Sequence, residues 1–240
     1  MTKKYGEQAD LTIAQRVQVV RERMEQAALR AGRKPEEVTL VGVTKTQSAE
    51  AVRQLIEAGV DVIGENRVQE LLQKEPFLTD LPHKTHLIGH LQRNKAKYLP
   101  GHIDMLQSLS GLDTLAALEK AYAGQPGPLD VLIEVNIGEE TSKSGIDKGA
   151  VTELAARVQE SPVLCLRGLM AIPPFVMGEA IRAYFTQMYQ LFIDIKAKKM
   201  DNDTVNVLSM GMSSDFEAAI AEGATMVRVG TDLFGPRNYI

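Results

Sequence analysis

The chain has 240 residues, 44% of them hydrophobic, a formal charge of −4 and a single cysteine. That length can bury one large α/β core, while the acidic balance offers no broad basic surface for nucleic acid and no apolar stretch is long enough to cross a bilayer. Lone Cys165 excludes an internal disulfide and a multi-thiolate metal site. Residues 1–10 begin with positive charge but lack the apolar core of a signal peptide, so a soluble cytoplasmic protein with no membrane or nucleic-acid partner is expected.

The first helix opens on the capping-box pair Thr12 and Gln15, and Ile13, Val17, Val20, Met24 and Ala28 recur at helical spacing until Gly32. Short runs rich in β-branched residues then alternate with helical patterns. The spacing predicts strands over 38–44, 61–64, 85–89, 103–107, 129–135, 164–171, 204–209 and 225–230, with helices over 48–58, 112–122, 147–159, 180–198 and 214–222. Eight strand-helix units of this length predict an α/β fold, a single (β/α)₈ TIM barrel domain over residues 1–240 with an extra N-terminal helix. An open doubly wound sheet is the alternative.

A barrel gathers its chemistry at the C-terminal ends of its strands and builds a phosphate site from the loops after strands seven and eight. Lys45 ends the apolar run from Val38 to Thr44, where a strand delivers an amine to the mouth. Lysine forms imines with carbonyl compounds when its surroundings leave some of it unprotonated. Strand seven runs into Leu208-Ser-Met-Gly-Met-Ser-Ser-Asp215 and strand eight into Gly230-Thr231, both rich in small residues that let backbone N–H groups approach an anion. Ser213 and Ser214 then stand where a helix starts, although Ser214 and Glu217 by themselves also read as a capping box.

Strand parity sorts the remaining polar groups, because successive side chains face opposite sides. Lys45 shares a face with Val43 and Val41. Val227 and Val229 turn to the outer helices and Arg228 turns inward, where it should meet either a ligand or a carboxylate. In strand five Leu132, Glu134 and Asn136 share the inner face, with Glu134 facing either an internal ion pair or a ligand.

Several familiar signatures are missing. No Gly-x-Gly-x-x-Gly follows a strand, and there is neither a Walker A loop nor a Gly-x-Ser-x-Gly elbow, which disfavours dinucleotides, nucleotides and serine hydrolysis. His83, His86 and His90 cluster in sequence, yet His86 and His90 lie roughly 13 Å apart along a strand at about 3.3 Å per residue, so no metal is expected. The basic run from Gln92 to Lys97 reads as a solvated helix face whose first turn borders the cleft.

Long motifs carry a family resemblance over nearly the whole chain: Leu40-Val-Gly-Val-Thr-Lys-Thr46, Ile63-Gly-Glu-Asn-Arg-Val-Gln-Glu70, His86-Leu-Ile-Gly-His-Leu-Gln-Arg-Asn-Lys95, Glu140-Thr-Ser-Lys-Ser-Gly145, Leu166-Arg-Gly-Leu-Met170, Ser209-Met-Gly-Met-Ser-Ser-Asp215 and Val227-Arg-Val-Gly-Thr231. The sequence resembles the pyridoxal phosphate homeostasis proteins (the YggS/PROSC family), similar to the N-terminal domain of alanine racemases. Departures from the pattern are small: the match is weakest over Ile172-Pro-Pro-Phe175, and His90 fills a variable position. The resemblance implies a barrel holding pyridoxal 5'-phosphate (PLP) as an internal aldimine on Lys45. It implies that Ser213 and the backbone of Gly230 and Thr231 bind the phosphate, that Arg228 neighbours the cofactor, and that Asn66 and His86 line the pocket. Lys143 is expected to be an exposed loop lysine.

In the related racemases the corresponding arginine faces the pyridine nitrogen, which weakens the ring as an electron sink. The chain stops at Ile240, which leaves no room for the further β domain of the racemases, so a complete acid-base pair is hard to assemble. The expectation is therefore a monomeric carrier in PLP homeostasis, not an enzyme, with apo PLP-dependent enzymes as partners. A weak PLP-dependent amino-acid racemase and a Schiff-base aldolase acting on a phosphorylated sugar are the enzyme alternatives.

Overall fold

The computed structural model describes residues 11–140, 144–198 and 204–235. Helix α1 (Ile13–Arg30) precedes a series in which β1 (Thr39–Val43) leads to α2 (Ala49–Glu57), β2 (Val62–Glu65) to α3 (Val68–Lys74), and β3 (Lys84–Leu87) to a 3₁₀ helix over Arg93–Tyr98. The remaining units are β4 (Met105–Leu109) with α4 (Leu112–Tyr122), β5 (Leu129–Val135) with α5 (Val151–Gln159), β6 (Leu164–Ala171) with α6 (Glu179–Ala197), β7 (Val207–Ser209) with α7 (Phe216–Ala221), and β8 (Met226–Val229) with α8 (Thr231–Phe234). Every strand pairs in parallel with the next, and β8 returns to β1 with Val41 opposite Arg228 and Gly42 opposite Val229. The expected closed barrel is formed, and the open sheet is not.

Strand alternation divides the core into two layers. Outward-facing Val131, Ile133, Val135, Val227 and Val229 merge with the apolar faces of the helices into one continuous shell. Inside, Val41, Val62 and Met226 form one lumen cluster and Met105, Leu132 and Met170 another, with Val207 packed against both. These interior layers plug the barrel below its mouth, so the open ends of the strands are where a ligand can enter.

Helix α1 begins as its sequence requires: the Thr12 hydroxyl accepts from Gln15 N–H at 3.3 Å, and the Gln15 side chain accepts from Thr12 N–H at 2.9 Å. Buried Val17, Val20 and Met24 lay the helix across α7 and α8, beside the last two loops of the mouth. In β6 the register slips by one at Arg167, and the next residue, Gly168, has φ +150°. A Cβ there would stand 1.8 Å from the Val207 carbonyl oxygen, so glycine alone lets β6 and β7 pair.

Two expectations change. The helix after the third strand is the short 3₁₀ stretch Arg93–Tyr98. The seventh outer helix starts at Phe216, with Asp215 in the cap position, and the Ser214–Glu217 capping box does not form. Ser214 instead donates to the Asp215 carboxylate at 3.2 Å, and Glu217 is taken by Arg23 at 2.8 Å. Among the described residues no helix is long and apolar enough to cross a membrane.

Candidate functional site at the barrel mouth

Lys45 lies two residues past Val43 on the lumen face of β1 and is half-buried. Val43 is opposite Gly64 on one side, and on the other a Cβ added to Gly230 would lie 3.3 Å from the Val43 Cβ. Lys45 therefore stands in the turn just beyond the end of β1, at the same end of the barrel at which β8 turns into its loop. Asn66 follows β2 at the corresponding height.

That loop brings together the residues expected to hold phosphate. The Ser213 hydroxyl, from the turn after β7, accepts from the backbone N–H groups of Gly230 and Asp232, each at 3.3 Å. Two N–H donors thus converge on a single oxygen, which is the environment a phosphate oxygen requires. Thr231 lies between them, half-buried. The rim is braced from outside, since Arg23 on α1 pairs with the buried Asp232 carboxylate and stacks on the Phe216 ring at 4.5 Å.

Below the rim, a polar chain crosses the lumen. The carboxylate expected beside Arg228 acts only at longer range: the side chain, 3% exposed, donates to the Ser209 hydroxyl at 2.7 Å and to the Ala171 carbonyl at 2.9 Å. Burial pulls its pKa down to about 10, countered by Glu134 and Asp215, and leaves it a cation at neutral pH. Ser209 in turn donates to Gln107 Oε1 at 2.7 Å. The Gln107 amide faces His86 Nδ1 at 2.9 Å and Met226 Sδ at 3.1 Å. With the amide as donor, His86 keeps its own proton on Nε2. Burial, reinforced by the positive charge of Lys84, pushes the His86 pKa down to about 4, so the imidazole is neutral.

The other candidates separate from these two groups. Glu134 accepts from the Ser144 hydroxyl at 2.7 Å, and burial raises its pKa, with Arg228 and His90 acting at longer range in the opposite direction. Asn136 closes its own turn by exchanging hydrogen bonds with the Glu140 backbone at 2.9 and 3.2 Å. Asn66 borders a cavity of about 460 Å³ with His90, Gln92 and Lys95, so the start of the basic run does reach the mouth. Lys143 lies outside the described residues.

Comparison with known proteins shows the family to which this barrel belongs. Residues 12–238 match the family model of the alanine racemase N-terminal domain. The chain is 44% identical to the pyridoxal phosphate homeostasis protein of Escherichia coli strain K12, over 95% of its own length and 97% of that protein's. The chain belongs to the pyridoxal phosphate homeostasis proteins, within the alanine racemase N-terminal domain family. A second member, from Aquifex aeolicus strain VF5, is 41% identical over 95% of this chain and 100% of that one. The solved structure of PipY from Synechococcus elongatus PCC7942 with PLP bound superposes with a TM-score of 0.79 at 33% identity, covering 93% of this chain and 100% of that one.

Within this homeostasis-protein barrel, several site neighbours escape a reading of the sequence. Gln107 and Ser209 close the runs read as strands four and seven, and extending the parity argument to β4 and β7 would turn both inward. Glu65, Glu70 and Lys74 gave no such signal, because they sit behind the wall on α3 and the outer face of β2.

Proposed function

We propose that the chain binds pyridoxal 5'-phosphate covalently through Lys45 and serves as a carrier of the cofactor in intracellular PLP homeostasis. The observation that carries this is the juxtaposition of an amine at the end of β1 with two N–H groups converging on the Ser213 oxygen, across the Val43–Gly230 contact. The name of the Escherichia coli relative and the PLP bound to PipY support the same reading.

When bound, PLP supplies an aldehyde and an electron-withdrawing pyridine ring. Lys45 provides the nucleophile for that aldehyde. Ser213 with the backbone of Gly230, Thr231 and Asp232 receives the phosphate. Arg228, fixed as a cation by Ser209 and Ala171, disfavours a protonated ring nitrogen and so restrains carbanion chemistry. Asn66 and neutral His86 shape the walls, and no residue is assigned a catalytic role. The chain acts as one domain over 1–240, a cytoplasmic monomer whose partners are apo forms of PLP-dependent enzymes.

The test is transfer. Protein loaded with PLP is mixed with an apo-enzyme, with and without a scavenger of free aldehyde, while α-hydrogen exchange of alanine in deuterated water is followed separately. The expected result is a yellow protein that reactivates the apo-enzyme and exchanges no hydrogen. Failure to retain PLP would contradict the proposal, and robust exchange that disappears in Lys45→Ala would replace the carrier with a racemase.

A further inference from the structure

Behind the wall of the barrel, on the side of β1 and β2 away from the lumen, a charged cluster grips the backbone on both sides of Lys45. Lys74 of α3 is 8% exposed, and its ammonium donates to the Thr44 carbonyl at 2.8 Å, to Glu65 Oε1 at 2.8 Å and to Glu70 Oε1 at 2.6 Å. All three of its protons are committed. The Thr44 hydroxyl donates to the same Glu65 oxygen at 2.7 Å. The Glu70 oxygen that holds Lys74 also accepts from the Thr46 backbone N–H.

The peptide groups preceding and following Lys45 are thus tied to one ammonium-carboxylate cluster. A second observation points the same way. Thr46 has φ +64°, a left-handed conformation that β-branched residues rarely adopt, and it occurs at the step after Lys45. Such a conformation persists only where surrounding contacts over-determine it, and the Glu70 bond supplies one directly. Burial of a cluster like this is costly, and Glu65 Oε2 is buried with no hydrogen-bond partner; a stability role alone would not require both ends to land on the backbone flanking one residue.

We propose that Lys74 and Glu70, steadied by Glu65, are positioning residues for Lys45: they fix the turn that aims its amine at the cofactor aldehyde. This rests on the reading of Lys45 given above. Attachment joins the lysine nitrogen to the aldehyde carbon and releases the aldehyde oxygen as water, so its rate depends on where the amine is held. Phosphate binding across the mouth does not.

The experiment compares PLP with pyridoxine 5'-phosphate, which has an alcohol in place of the aldehyde. Stopped-flow absorbance gives the attachment rate, and calorimetry gives the affinity of the analogue. Lys74→Met and Glu70→Ala should slow attachment ~10-fold or more, within the ~10²-fold that a 1 Å misplacement can cost, and leave analogue affinity unchanged. Glu70→Gln keeps an acceptor for Thr46 N–H and should restore the parent rate. If Lys74→Met does not fold, the Glu70 pair decides, because it leaves the Lys74–Glu65 bridge in place. Parent-like attachment in Glu70→Ala, or analogue affinity falling by the same factor as attachment, would overturn the inference. A parent protein in which borohydride fixes no PLP to Lys45 would overturn the underlying reading, a result separable from the variant data.

Discussion

His86 offers a quantitative test of the buried lumen. Its pKa is pushed from 6.5 to about 4 by burial, so the folded protein binds this proton more weakly than the unfolded chain does. Where the unfolded state binds more protons, stability rises with pH. The contribution of His86 is therefore whole above pH 6.5 and drains as pH falls toward 4. A gap of 2.5 units, 6.5 minus about 4, corresponds to about 3 kcal/mol at ~1.4 kcal/mol per unit. Glu65, Glu134 and Asp215 have pKa values raised mainly by burial, so they act in the opposite direction, gaining as pH falls. Comparing the parent with His86→Gln removes that background. Urea unfolding of the cofactor-free proteins, followed by circular dichroism at intervals from pH 7 to 4, should show the parent losing up to about 3 kcal/mol more than the variant. Parallel profiles would show that His86 is not held neutral, and the chain linking it through Gln107 and Ser209 to Arg228 would have to be redrawn.

Two further substitutions probe the same floor and the rim above it. Arg228→Gln gives up the bonds to Ser209 and Ala171 and should cost about 1–3 kcal/mol without unfolding the protein, with faster loss of PLP on dialysis; unchanged retention would make the arginine purely structural. Arg23→Met strips the cation from Glu217 and buried Asp232 and should cost about 2 kcal/mol, between the values typical of exposed and buried pairs. Because Asp232 N–H points at Ser213, PLP retention should fall as well, and equilibrium dialysis giving the parent affinity would separate α1 from the phosphate rim.

How much of this was legible in the sequence depends on the period of each signal. The β-branched runs and helical spacings marked the barrel and placed Lys45, Gly230 and Thr231 at strand ends, because strand alternation is a local property. Arg228 was recognisable as inward-facing on the same ground. The alternative capping box of Ser214 and Glu217 does not form, since capping is a local preference and Glu217 finds a stronger partner in Arg23, 194 positions away. The cluster on Lys74 was hidden for a similar reason: its carboxylates and the carbonyl it holds meet only once α3 has folded back on β1. The slip at Arg167 also had no signature beyond the glycine that follows it.

The central claim is that Lys45 carries PLP. Protein saturated with PLP is reduced with borohydride, digested and mapped by mass spectrometry, alongside Lys45→Ala treated identically. The account predicts a pyridoxyl-phosphate adduct on the peptide containing Lys45 and loss of the visible absorbance in the variant. An adduct on another lysine in the parent, or a variant that keeps the parent's absorbance, would contradict it.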